Sequence, residues 1–159
     1  MKNFVFLISI LFYQISYADV DGLIIKVVDG DTVQIKNTDN EILRIRLKHI
    51  DAPELDQEFG NESKLILQRF ILNKKVKIIG NKRDRYKRLL GIVILDEVDI
   101  NLEMIKVGAA WHFKKYAEFD QTKNQYLIYD KNEYQAKLKK IGLWKENPIS
   151  PWQWRKNKK

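Results

Sequence analysis

The chain has 159 residues, 45% of them hydrophobic and 31% charged, with 29 Lys and Arg against 21 Asp and Glu and a net charge of +8. That length suits one domain, and the apolar share excludes an intrinsically disordered chain. Cysteine is absent and His49 and His112 are the only histidines, which excludes a disulfide framework, thiolate chemistry and a multi-histidine metal site.

The basic excess points to a polyanionic partner and says nothing about fold. Lys2 is followed by an apolar run from Phe4 to Ile15 and then by Ser16-Tyr17-Ala18. A basic start, a short apolar run and a small-x-small triplet read as a secretory signal peptide cleaved after Ala18. The alternative is a membrane anchor, but a spanning helix needs about 20 apolar residues, and Asp19 and Asp21 cut this run short. The expected organisation is a signal peptide over 1–18, one domain over 19–146 and a basic, Trp-containing tail over 147–159. The mature chain is expected to be secreted or periplasmic, monomeric, and without stable membrane association.

Gly22 to Val28 and Thr32 to Lys36 are β-rich runs separated by Asp29-Gly30, a two-residue signal for a type I′ turn. Ile42 to Lys48 alternates, with Leu43, Ile45 and Leu47 toward a core and Arg44, Arg46 and Lys48 on the other face. Asp51-Ala52-Pro53-Glu54 ends that strand, because proline cannot donate to a ladder and restricts the residue before it. Glu62 to Leu72 suits a helix. Val76 to Ile79 and Leu89 to Leu95 are strands, the second apolar enough for burial on both sides, with a basic loop over Asn81 to Arg88 between them. Asn101 to Val107 reads as a short helix ended by Gly108. Leu127, Tyr134, Leu138 and Ile141 recur near a 3.5-residue spacing, so Gln125 to Lys140 is expected to be the longest helix, closed by Gly142. Five short strands with an inserted helix and about three helices in all fit a small β-barrel of the OB-fold type.

Three clusters could carry chemistry: Asp29-Gly30-Asp31-Thr32, Arg46 with Asp51-Ala52-Pro53-Glu54, and Asp84-Arg85-Tyr86-Lys87-Arg88. Taken singly, the first is a turn and the last a solvated basic loop. Together they place three carboxylates and two arginines at strand ends. Asp31 and Asp51 could hold a hard cation such as Ca²⁺, which takes oxygen ligands. Arginine forks match phosphate oxygens, and Glu54 could orient or deprotonate a water. The residues alone leave two classes open, a phosphodiesterase or a nucleic-acid-binding barrel without catalysis. An envelope structural protein would leave the paired acids and arginines unexplained.

Val28-Asp29-Gly30-Asp31-Thr32, Arg46 through Glu54, Asp84 through Arg88 and Asn101 through Gly108 occur in the order and spacing that resemble the signature segments of staphylococcal nuclease-like proteins. Ala136-Lys137 with Gly142-Leu143-Trp144 is similar to that family's C-terminal helix ending, so the likeness runs from about Gly22 to Trp144. The resemblance implies a secreted, Ca²⁺-dependent nuclease on an OB-fold, cutting DNA and RNA with little sequence preference. It implies Asp31, Asp51 and the Ala52 carbonyl as metal ligands and Glu54 as the water-positioning group. Arg46 and Arg88 are implied as the phosphate-binding pair, and Tyr116 matches a tyrosine that flanks the nucleotide; Arg85 and Tyr86 of the basic loop are expected beside them on the substrate. Lys87 stands where many relatives carry glycine, and Lys114 where one nucleotide-flanking tyrosine is expected. The segment after Glu54 is shorter than usual.

Outside those motifs, His49 is expected to lie in the third strand as a packed or edge residue, and Trp111 and Trp144 in the core. Trp152, Trp154 and Arg155 could stack on nucleic acid, but an arm folded on the domain with a frayed basic end is the favoured reading.

Overall fold

A computed structural model describes residues 19–158, so the expected signal segment lies outside the described residues. β1 (Val20–Val27), β2 (Thr32–Asn37) and β3 (Ile42–Leu47) form an antiparallel meander. After the two-residue β4 (Ile50–Asp51) and α1 (Gly60–Ile71), β5 (Lys75–Arg83) pairs with β1, and β6 (Leu89–Leu95) pairs with β5. β6 then returns to β3 in parallel, Ile45 beside Leu89 and Leu47 beside Gly91, which closes a five-stranded barrel. This is the OB-fold that the strand pattern predicts.

The short β7 (Val98–Asp99) leads into α2 (Ile100–Lys106), capped by the Asp99 side chain accepting from Leu102 N–H and ended at Gly108 with φ 63°. β8 (Trp111–His112) pairs with β4, and α3 (Lys114–Asp120), α4 (Lys123–Leu138) and α5 (Pro151–Asn157) follow. The barrel core is aliphatic: Ile24, Val33, Ile35, Ile45, Leu47, Ile78 and Val93 are fully buried, with Leu67 and Ile71 of α1 and Met104 and Ile105 of α2 over the barrel ends.

Several expectations are corrected. The β1–β2 connection is not a type I′ turn, since neither Asp29 nor Gly30 has positive φ. It is a wider loop in which the Asp29 carboxylate accepts the Asp31 N–H at 3.0 Å. Gly30 is needed for close approach instead: a Cβ there would lie 2.1 Å from Ser63 Oγ and 2.6 Å from the Ala52 Cβ. β5 continues to Arg83, because a register shift between Ile79 and Lys82 lets Lys82 and Arg83 pair with Leu90 and Leu89. Only Asp84 to Arg88 is loop. β6 is not buried on both faces; its residues alternate between buried and half-buried. His49 leaves the strand at φ 63°, packed as expected but in a turn, 3.2 Å from Asp120 Oδ2.

The apolar spacing of α4 locates the helix but not its buried face. Leu127, Tyr134 and Leu138 are exposed, while Tyr129, Glu133 and Ala136 face inward. Polar contacts hold that inner face: Tyr129 OH donates to Asp99 at 2.7 Å, and Glu133 accepts the His112 N–H at 2.9 Å. α3 and α5 add two helices to the expected three. Each has seven residues, too short for an apolar period to show.

Candidate active site

The β2–β3 register sets Thr32 opposite Arg46, so Asp31 lies beside the polar face of β3, and Leu47 N–H donates to the Asp31 carbonyl at 2.8 Å. β4 then turns back against β8, which fixes Asp51 opposite Trp111. Pro53 stops this strand, and Glu54 follows it half-buried.

Arg46 ties the inner acids together. Its Nη2 lies 3.0 Å from Asp31 Oδ2 and 3.0 Å from Asp51 Oδ1, while Nη1 donates to the carbonyls of Leu47 at 2.6 Å and Ile50 at 3.0 Å. Among the described residues, its Nε–H is the donor left without a protein partner. Asp31 Oδ2 also accepts the Ala52 N–H at 2.8 Å, and Asp31 Oδ1 accepts the Thr32 hydroxyl at 3.2 Å. Burial pushes the Asp31 carboxyl up to about 6 against the pull of Arg46, with Asp29 adding to the rise. Burial likewise raises Asp51, against the hydrogen bonds of Arg155.

Arg88 reaches the same cluster from the barrel wall. Asp84 grips its Nε at 2.8 Å and Nη2 at 2.7 Å, and its Nη1 is left 3.4 Å from Thr32 Oγ1. Asp31, Arg46, Asp51 and Arg88 are therefore linked through Thr32, as the sequence clusters predict. Tyr86 and Arg85 lie beside Arg88: the Arg88 guanidinium is 5.4 Å and that of Arg85 4.8 Å from the Tyr86 ring centre. Tyr116 is exposed at the start of α3, its ring 4.9 Å from Phe113. Lys114 turns away and pairs with Asp130 on α4.

The tail brings a residue that sequence reasoning left outside the site. α5 folds onto the domain, and Arg155 donates from Nη2 to Asp51 Oδ2 at 2.7 Å and from Nη1 to Glu54 Oε1 at 2.6 Å. A Ser150 N-cap followed by Pro151 was the available signal for this helix. Nothing local to it could point to carboxylates a hundred residues earlier. Asp84 is the other residue whose role the motifs left unstated; its spacing of four to Arg88 was the signal.

No three acidic or histidine side chains among the described residues converge into a ready cage for an ion. A cation here would rely on the Asp31 and Asp51 carboxylates together with main-chain oxygen. These are hard donors, and hard cations are often held by one or two carboxylates. The fit is chemical: two adjacent buried carboxylates share the inner cation Arg46, and the second positive charge on them, Arg155 on Asp51, comes from the exposed tail.

The model of the staphylococcal nuclease homologue family matches residues 44–146. A Haemophilus influenzae protein described as an uncharacterized endonuclease is 39% identical over 137 residues, covering 86% of this chain and 73% of that protein. An Escherichia coli O157:H7 protein, also described as an uncharacterized endonuclease, is 33% identical over 99% of this chain and all of its own length. A Shigella flexneri micrococcal nuclease is 31% identical, covering 91% and 85% of the two chains. The chain belongs to the staphylococcal nuclease family of nuclease hydrolases.

Proposed function

We propose that the chain is an exported, Ca²⁺-dependent endonuclease that hydrolyses phosphodiester bonds of DNA and RNA with little sequence preference. The observation that carries this reading is the meeting of Asp31 and Asp51 on Arg46, with Glu54 joined to Asp51 through Arg155 and Arg88 joined to Asp31 through Thr32. Asp31, Asp51 and the Ala52 carbonyl would hold the ion, which supplies positive charge against the phosphate when bound.

The chain's own residues divide the remaining work. The Glu54 side chain is 39% exposed, so a water can reach it; it orients that water and accepts its proton. Arg46 is immobilised by two carbonyls and two carboxylates, and presents its Nε–H. Arg88 is clamped by Asp84 and presents Nη1. Both meet developing charge on the phosphoryl oxygens with donors that need little rearrangement. Tyr86, Arg85 and Tyr116 lie on the exposed rim, where they position the strand without touching the reacting bond. Export rests on the Lys2 to Ala18 pattern and is tested separately, by finding Asp19 as the N-terminus of chain recovered outside the inner membrane.

The central experiment incubates the purified chain with supercoiled plasmid and with RNA, in Ca²⁺ or in chelator, beside Glu54→Gln. Cleavage in Ca²⁺ alone, lost in the variant, is the expected result. Full cleavage in chelator would overturn the metal assignment, and binding without cleavage would make the chain a nucleic-acid-binding module.

A further inference from the structure

Asp51 sits between two guanidinium groups that are held very differently. Arg46 approaches from inside the barrel, is 13% exposed and is locked by the carbonyls of Leu47 and Ile50. Arg155 approaches from solvent, is 43% exposed and rides on a seven-residue helix whose one buried residue is Pro151. Its fork spans Asp51, with Nη2 2.7 Å from Oδ2 and Nη1 3.3 Å from Oδ1, and Nη1 also reaches Glu54 Oε1 at 2.6 Å. While α5 is docked, the outer oxygen of Asp51 and one oxygen of Glu54 are committed to a protein cation. A carboxylate neutralised by a guanidinium fork is a weaker ligand for a hard cation and a weaker base.

We propose that Arg155 is a tethered cation that competes with the divalent metal ion for Asp51, so that metal entry displaces α5 and frees Glu54 in the same event. The proposal rests on the reading of Asp31 and Asp51 as metal ligands. Of the two arginines on Asp51, only Arg155 can leave without breaking the barrel wall. The remaining hold of α5 is on the segment that carries Glu54: Gln57 Nε2 donates to the Ile149 carbonyl at 2.5 Å, Trp154 Nε1 lies 3.4 Å from Asp56 Oδ1, and Lys158 pairs with Asp56. Trp152 adds a stacked contact on Phe113, ring centres 5.6 Å apart and planes at 6°, and an edge contact on Trp111 of β8 at 6.4 Å. Undocking therefore uncovers the cleft beside Glu54 and Phe113. It also leaves Arg155, Lys156 and Lys158 tethered at the rim, where a polyanionic strand must enter. Metal arrival and access for the substrate become one transition.

The test measures Ca²⁺ binding by calorimetry to the metal-stripped full chain and to Arg155→Gln, Arg155→Lys and Trp152→Ala, with hydrogen exchange over 149–158 before and after Ca²⁺. If the docked form dominates at about nine in ten molecules, removing the competitor tightens Ca²⁺ binding by about tenfold. Arg155→Gln should show that gain. Arg155→Lys, which keeps the charge without the fork, should gain less. Trp152→Ala should tighten binding with Arg155 still present. In the wild-type chain, Ca²⁺ should make the α5 amides exchange faster. Equal, measurable Ca²⁺ affinity in wild type and Arg155→Gln would overturn the competition while leaving the metal reading intact. Tighter binding with α5 still protected at saturating Ca²⁺ would also overturn it, since the arginine would then act only through its field. Absence of Ca²⁺ binding in every chain would overturn both readings.

Discussion

Asp84 fixes Arg88 twice, once through the main chain and once through the side chain. Asp84 Oδ1 accepts the Arg88 N–H at 3.0 Å, and Oδ2 receives its Nε at 2.8 Å and Nη2 at 2.7 Å. Partial burial pushes the Asp84 carboxyl up, but the Arg88 hydrogen bonds outweigh it and hold the group below its ordinary value. Asp84→Asn should leave the fold intact and lower kcat by about tenfold or more, because a small misplacement of an orienting group is costly in rate. KM should move less than kcat if the clamp serves the transition state. An unchanged kcat would mean that Arg88 finds its position without Asp84.

Lys87 completes the same loop at φ 63°, a conformation that costs a non-glycine residue roughly 1–2 kcal/mol. Its N–H still closes the turn on the Asp84 carbonyl at 2.9 Å, and its own carbonyl accepts from Arg83 at 2.9 Å. Lys87→Gly should keep both bonds and raise stability by about 0.5–1 kcal/mol, after the glycine's own chain entropy is subtracted. Urea unfolding of the two chains, with equal slopes, measures this directly.

The barrel was legible because its strands carry an unambiguous period, as in Leu43, Ile45 and Leu47 against Arg44 and Arg46. The candidate site was legible because three short clusters fall at strand ends that the closure at β3 and β6 brings together. The misreadings share one cause, that partners distant in sequence decide local structure. The α4 stripe of Leu127, Tyr134 and Leu138 looks like a core face, but the helix is oriented by Tyr129 on Asp99 and Glu133 on the His112 main chain. The Asp29-Gly30 turn is shaped by Ser63 and Ala52 pressing on Gly30 rather than by its own dipeptide. The tail folds onto the domain as the favoured reading has it, but its basic end is not frayed: Arg155 and Lys158 are paired with Asp51, Glu54 and Asp56, pairings that no local pattern encodes.

The two arginines should fail in different ways. Arg46→Ala removes the one cation on Asp31 while Arg155 still holds Asp51, and leaving a buried carboxylate unpaired costs about 3–5 kcal/mol. Arg88 pairs with the less buried Asp84, so Arg88→Ala should cost rate, roughly 10²–10³, with little loss of stability. Thermal unfolding beside single-turnover cleavage separates the two. Equal stability losses would show that the inner pair is no more coupled to the fold than the outer one.

Arg85 has no acidic partner among the described residues and donates to Tyr86 OH at 2.7 Å. If it contacts one phosphate, Arg85→Ala should reduce the salt dependence of binding to an uncleavable strand by about one unit of slope, equally for all sequences. A change confined to one sequence would make it a base-reading residue.

Among the buried groups that shape the pH dependence of the metal-free fold, Asp31 and His49 act in opposite directions. Burial raises Asp31 from 3.8 to about 6, so between those values the folded chain keeps a proton that the unfolded chain has lost. Its contribution is present at low pH and is lost as pH rises through about 6. Burial, helped by the charge of Lys48, lowers His49 from 6.5 to about 4 against the pull of Asp120, so the unfolded chain binds the extra proton there. The His49 contribution is present above about 6.5 and is lost as pH falls through about 4. Across pH 4 to 6 the two slopes have opposite sign, each at most about 1.4 kcal/mol per pH unit. Wild-type stability should therefore change little over that window on their account. His49→Asn, a residue that tolerates the positive φ, removes the His49 part of the rise and leaves that of His112, so relative to wild type its stability should fall as pH increases from 4.5 to 6. Ca²⁺ should reverse that fall by favouring ionised Asp31, with affinity dropping below about pH 6. Urea denaturation of both chains at pH 4.5, 5.5 and 6.5, with and without Ca²⁺, provides the measurement. Identical slopes for wild type and His49→Asn would show that His49 is not held neutral by its burial.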